Sequence, residues 1–216
     1  MVNKKQRKKK KRIMLQNKTL IKKYPWLIPR NWDGKIPNDY DYSYVEWFGW
    51  PSGWNKAFGK MYLDELGDAV KRSGFEKEFQ VLQMKEKYGE ARCYVGPTNT
   101  EIDQIISKYE HLSGNICINC GKPDTYMIND GWYSPWCYEC WSRTYREREE
   151  YISREDYVPK TDEELSEMYN KCICDDGIMV SSYKVLTTNG EKIYDISETA
   201  EKIRARWRAR NGGKKN

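Results

Sequence analysis

The sequence predicts an α+β fold: a helix–β-hairpin–helix body with a four-cysteine zinc ribbon, followed by a charged helical segment, a β-hairpin and a basic C-terminal helix. Three observations carry this expectation. Apolar residues recur at helical spacing in several separate runs, strand-like runs flank two Gly-containing turns, and two Cys-x2-Cys pairs stand sixteen residues apart.

The chain has 216 residues, enough to bury a core without a disulfide framework. Its 38% hydrophobic and 14% aromatic content exceeds what disordered chains carry, so most of it is expected to fold. No apolar run approaches the roughly 18–20 residues that span a bilayer. The basic start is followed only by Ile13-Met14-Leu15, too short for a signal core, which predicts a cytoplasmic protein.

In chain order, residues 4–12 hold eight basic side chains, among them Lys8, Lys9, Lys10, Lys11 and Arg12, and no acid. Residues 1–18 therefore read as a basic disordered arm. Residues 19–114 read as an α+β core that opens on an aromatic-rich loop, 24–53, dense in Pro, Gly and Asn. The loop's aromatics either cover the core or offer a stacking surface for bases. From Ser52, the residues Trp54, Phe58, Met61, Tyr62, Leu66, Ala69 and Val70 mark a core helix that stops at Ser73-Gly74. Runs 79–84 and 91–95 flank the Lys87-Tyr88-Gly89-Glu90 turn and predict a hairpin. Thr98 and Glu101 have the spacing of a capping box before Ile102, Ile105, Ile106, Tyr109 and Leu112, with Gly114 closing the second helix.

Residues 115–142 read as the zinc ribbon. Cys117, Cys120, Cys137 and Cys140 form two Cys-x2-Cys pairs, the spacing at which tight turns present four thiolates to one structural Zn2+. Four thiolates leave no open coordination position, so the metal is expected to hold structure and not to catalyse. The Trp136-Cys137-x2-Cys140 segment also has the form of a thioredoxin-type redox motif, but it lacks the βαβ setting. Pro135 before the pair matches half of a zinc-deaminase signature, whose upstream H-x-E or C-x-E the chain does not supply. Cys172-Ile173-Cys174 is a further pair without two more nearby ligands, Cys93 reads as a small buried hydrophobe, and His111 as a packing or surface residue.

Residues 143–176 read as a charged, partly helical connector, in which Pro159 and the Thr161–Glu164 capping box mark a break and a restart. Residues 177–216 read as a hairpin turning at Asn189-Gly190 and a helix whose Ala200, Ile203 and Trp207 form one face.

The run from Gln83 to Tyr94, the helix ending Tyr109-Glu110-His111-Leu112-Ser113, Cys117-x2-Cys120-Gly121 and Gly131-Trp132 through Cys140 form a composite pattern, to which Tyr24-Pro25-Trp26 and Gly53-Trp54 also belong. Over about residues 24–140 the chain resembles a group of uncharacterised bacterial and phage-encoded proteins. These share a KEKFGxLRxY segment, a helix ending in E-x-x-S and a C-x2-C-G…C-x2-C ribbon. Tyr88 and Ala91 stand where that pattern has Phe and Leu. The resemblance implies a phage or mobile-element origin, hence a host cytoplasm, and carries no activity.

The net charge of +6 conceals a segregation, because basic residues crowd both ends while the remainder is net acidic. Basic extensions neutralise phosphates without reading sequence. The functional expectation is a non-enzymatic zinc-ribbon protein that binds nucleic acid non-specifically through Lys8–Arg12 and through Arg204, Arg206, Arg208 and Arg210. The alternative is a protein-interaction module that binds and modulates a host enzyme or defence complex, with exposed Trp and Tyr as anchors. Neither a membrane nor a small-molecule substrate is indicated. An enzyme would have to gather Asp64, Glu65, Asp68, Glu86 and Glu90 around Mg2+. The single histidine excludes two-histidine mechanisms, and no glycine-rich phosphate loop or nucleophile elbow is present.

Overall fold

The computed structural model describes residues 18–28, 30, 35, 50–152, 158–187 and 190–212. The basic run 8–12 and most of 31–49 lie outside them. Helices and small antiparallel hairpins alternate, an α+β arrangement, and the backbone contacts divide it into two units.

The first unit draws on residues 1–50, 60–86 and 91–107. Within it, residues 18–23 are helical (α1), a 3-10 turn spans Pro25–Leu27, and α2 runs Lys60–Ser73. Tyr62, Leu63, Leu66, Ala69 and Val70 recur at helical spacing on α2 and are all buried, so the amphipathic pattern is the one that makes the core. The aromatics here cover that core: the Trp26 ring lies 5.5 Å from Tyr24 and 5.4 Å, edge-on, from Phe79. Trp50 packs 4.8 Å from Tyr62 and donates its indole N–H to the Arg92 carbonyl at 3.0 Å. Asp64 draws in Lys23, the Tyr24 hydroxyl and Lys60, tying α1 to α2.

Strands β1 (Gln80–Lys87) and β2 (Glu90–Gly96) pair as predicted. Tyr88 and Gly89 between them both have positive φ, 54° and 80°, as a two-residue type I′ turn demands. Helix α3 spans Thr100–Ser113, and its cap corrects the sequence expectation. The Asn99 side chain accepts the Ile102 N–H at 2.9 Å, while the Thr98 hydroxyl donates to Asp103 and Glu101 pairs with Arg72 at 2.6 Å. Asn99 is the last non-helical residue, so its carboxamide reaches the orphan N–H and the Thr98 hydroxyl, one residue further out, turns elsewhere.

The second unit comprises Pro51–Gly59, Lys87–Glu90 and Lys108–Asn216. The helix predicted from Ser52 begins as one α-turn, Ser52–Trp54, and widens to a π-turn over Asn55–Gly59 before α2. A π-turn shifts the helical phase, and here Trp54, Ala57 and Phe58 are all fully buried. Phe58 stacks 5.3 Å from Tyr109, and the Trp54 indole donates to the Ile116 carbonyl at 2.9 Å.

Beyond α3, β3 (Tyr126–Asn129) pairs with β4 (Tyr133–Trp136), placing Tyr126 opposite Trp136 and Asn129 opposite Tyr133. Helix α4 (Tyr138–Ile152) follows, and α5 (Asp162–Lys171) starts on a complete capping box between Thr161 and Glu164. Trp141, Leu165, Tyr169 and Ile128 form a buried cluster joining α4, α5 and β3. Residues 172–174 then pair with β3: the Asn129 N–H donates to Cys172 O and the Cys174 N–H to Met127 O, each at 2.9 Å. The segment expected to be a connector is thus bonded to the hairpin that lies between the two cysteine pairs. The last hairpin, β5 (Ser182–Thr187) with β6 (Gly190–Asp195), leads into α6 (Ser197–Asn211). Residues 188–189 of its turn lie outside the described residues. Ala200 and Ile203 are buried as predicted.

Candidate metal centre

Two tight turns bring the four cysteines together. In the first, the Gly121 N–H returns to the Cys117 carbonyl at 2.9 Å, and Cys117 N bonds Lys122 O at 2.9 Å. The second is the opening turn of α4, where the Cys140 and Trp141 N–H groups bond Cys137 O at 3.1 and 3.0 Å. The bond from Ile118 N to Pro135 O, 3.0 Å, pins one turn to the strand that delivers the other. The Sγ atoms of Cys117, Cys120, Cys137 and Cys140 consequently lie within 4.8 Å of one another and could hold a metal ion. Cys117, Cys137 and Cys140 are buried and Cys120 is half-buried.

The electrostatics of the cluster favour a cation. Hydrogen bonding among the clustered sulfurs holds the Cys117 thiol far below its usual range and pushes those of Cys120 and Cys137 up. Four thiolates cannot share so small a space unless a positive ion joins them. Around the sulfurs, Arg143 donates to Cys140 Sγ at 3.5 Å and Lys122 pairs with Glu139 at 3.2 Å. Such outer contacts orient ligands and offset thiolate charge.

The first turn has a support that sequence reading missed. Gly53 N donates to Ile118 O at 2.8 Å, and a Cβ on Gly53 would fall 2.1 Å from Cys117 O. Gly121, at φ +80°, faces it: a Cβ there would meet Gly53 O at 2.5 Å. Glycine against glycine lets the Ser52–Trp54 turn press its backbone on the cysteine turn, and Ser52 Oγ and Lys56 Nζ both donate to Asn119 O, at 3.2 and 3.1 Å. The available signal was a glycine just inside a helix start, where it costs helical stability.

The remaining candidates separate clearly. Cys172 and Cys174 are not among the clustered sulfurs; Cys172 packs beside the Trp141–Tyr169 cluster and Cys174 is exposed. Cys93 is buried on β2, and the His111 ring stacks 4.6 Å from Tyr183. Of the carboxylates considered for Mg2+, Asp64 is taken up by Lys23, Tyr24 and Lys60, and no carboxylate group clusters at metal-binding distances among the described residues.

Of the C-terminal arginines, Arg204 grips Asp124 through Nε at 2.7 Å and Nη2 at 2.6 Å, and also pairs with Glu201. These bonds fasten α6 to Asp124. Arg208 reaches Glu201 at 3.7 Å, Arg206 is exposed, and Arg210 donates to the Lys56 carbonyl. Among the described residues, no helix is long and apolar enough to cross a membrane. No protein-family model, no curated protein and no solved structure matches the chain.

Proposed function

We propose that this protein is a structural zinc-ribbon protein without a catalytic centre, which binds nucleic acid through its basic extensions. The closed four-sulfur cluster is the observation that carries this reading. A tetrahedron of Zn–S bonds near 2.3 Å has sulfur–sulfur edges of about 3.8 Å, and Cys120 and Cys137 stand 3.7 Å apart. Zinc accepts such an all-thiolate set, and with four protein ligands it has no position for substrate. The ion would join α4 to the turn before β3, drawing together segments with little apolar surface of their own.

The nucleic-acid assignment rests on charge. Eight basic side chains within residues 4–12, and the basic helix α6, give the electrostatic footprint of a phosphate-binding protein. Metal analysis of the full chain is expected to return one zinc per chain. A titration of generic duplex and single-stranded nucleic acid should show affinity that falls steeply with salt and weakens when residues 1–12 are deleted. Absence of binding at low salt would refute the assignment.

A protein-interaction role is the second reading, favoured by the exposed aromatics Trp132, in the turn of the β3–β4 hairpin, Tyr133, at the start of β4, and Tyr88. Trp and Tyr are typical interface anchors. Capture of one stoichiometric host protein that is lost on Trp132→Ala, with no nucleic-acid binding, would establish it instead.

A further inference from the structure

The cations of α6 fall into two classes. Lys202 pairs with Glu198 at 2.6 Å, Arg204 with Asp124 and Glu201 at 2.6 Å, and Arg208 with Glu201 at 3.7 Å. These charges are neutralised within the fold. Arg206 and Arg210, four residues apart and so on one helical face, have no carboxylate within ion-pair distance among the described residues. Lys56 on the π-turn has none either.

Lys56 and Arg210 meet at the first cysteine turn, and Arg206 stands one helical turn before Arg210. Lys56 Nζ donates to the Asn119 carbonyl at 3.1 Å, between Cys117 and Cys120, and Arg210 Nη1 donates to the carbonyl of Lys56 itself. Arg210 also lies over the Trp207 ring, 5.8 Å from its centroid. Carbonyl and aromatic partners fix where a cation sits but do not cancel its charge. The result is an exposed group of positive side chains in which backbone carbonyls set the positions of Lys56 and Arg210, with Arg206 one turn away on the same helical face. Lys214 and Lys215 follow it directly in sequence. Like charges held near one another repel, and an anion bridging them relieves that repulsion.

We propose that Lys56, Arg206 and Arg210 form the phosphate-binding surface of the folded part of this protein, engaging the sugar-phosphate backbone of a nucleic acid. The inference rests on the nucleic-acid reading above and gives it a place. Lys56, far from both termini in sequence, becomes a contact residue, whereas Arg204 and Arg208 are withdrawn. The metal turn acts as the platform that positions Lys56, through Asn119, beside the face of α6.

The test uses the full-length zinc-loaded protein and a labelled 20-base-pair duplex, with the binding constant measured against salt concentration. Lys56→Gln and Arg206→Gln are the variants, because neither residue packs in the core, and Lys184→Gln on β5 is the control, since Lys184 already pairs with Glu191. Each variant should lower the log–log salt slope by about 0.9, or roughly eightfold in affinity at 0.1 M salt relative to 1 M. The control should match wild type. Zinc content and circular dichroism of each variant establish that it is folded.

Wild-type binding with unchanged slopes in both variants overturns this surface while leaving the contacts to residues 4–12, so the broader reading survives. Variants that bind normally but release zinc more readily assign these cations to balancing the thiolates, which also overturns it. No binding by wild type at 50 mM salt removes both proposals, as does binding confined to a heparin control.

Discussion

Gly53 shows how much a single missing methyl group can carry. Its backbone lies so close to Cys117 and Ile118 that any side chain must push the cysteine turn away. Gly53→Ala is therefore expected to destabilise the fold by about 3 kcal/mol, as overpacking without room to relax does. The same change should weaken metal retention, which competition with a chromogenic chelator measures. A change at the exposed neighbouring residue, Ser52→Ala, loses only one 3.2 Å bond to Asn119 and should cost under about 1 kcal/mol.

Arg204 and Asp124 supply a second residue-level test, with a pH signature. Burial raises the Asp124 carboxyl, but the Arg204 guanidinium and the Met179 N–H outweigh it and hold its pKa below the ordinary value. A depressed carboxyl pKa contributes stability that is complete above the unfolded value, near 4, and is lost as pH falls through the folded one. Arg204→Ala should cost about 1–2 kcal/mol at pH 7, allowing for the solvent that reaches both groups. The difference between variant and wild type should shrink below about pH 4, as urea denaturation at stepped pH would show.

At the scale of elements, caps and turns separate what could be read in advance from what could not. The Thr161–Glu164 box was legible because both reciprocal bonds are local, and Thr161→Ala should cost about 1 kcal/mol in chemical denaturation. The same pattern at Thr98 and Glu101 misled, since Asn99 outcompetes Thr98 for the helix N-terminus and Arg72 takes Glu101. Asn99→Ala is accordingly the destabilising change at α3, by about 1 kcal/mol, and Thr98→Ala the nearly silent one. Hairpins and helix faces were readable from period and turn chemistry, and the four cysteines from spacing alone. The π-turn, the glycine contact under Cys117 and the pairing of residues 172–174 with β3 were not. Each depends on partners distant in sequence, which no local pattern encodes.

At the scale of the whole molecule, the zinc proposed for the cysteine cluster is expected to decide how much of the second unit can stand. Its elements are short: β3 and β4 have four residues each, and the Ser52–Trp54 turn has three. Buried apolar clusters exist around Trp54 and Phe58 and around Trp141 and Tyr169, yet the cysteine turns link the segments that carry them. Structural zinc sites contribute about 10–16 kcal/mol of apparent binding energy near neutral pH, which exceeds the net stability of most domains. Without the proposed ion, four crowded thiols would stand in place of four bridged thiolates. Chelation is expected to abolish the near-ultraviolet signal of the buried Trp54 and Trp141 and to broaden thermal unfolding, with zinc re-addition restoring both. Protons compete with metal for sulfur, so the midpoint of chelator-induced loss should move to lower chelator concentration as pH falls. Trp54 and Trp141 signals that persist in metal-free protein would show instead that packing alone sustains the unit, and that the cysteines serve a purpose other than its stability.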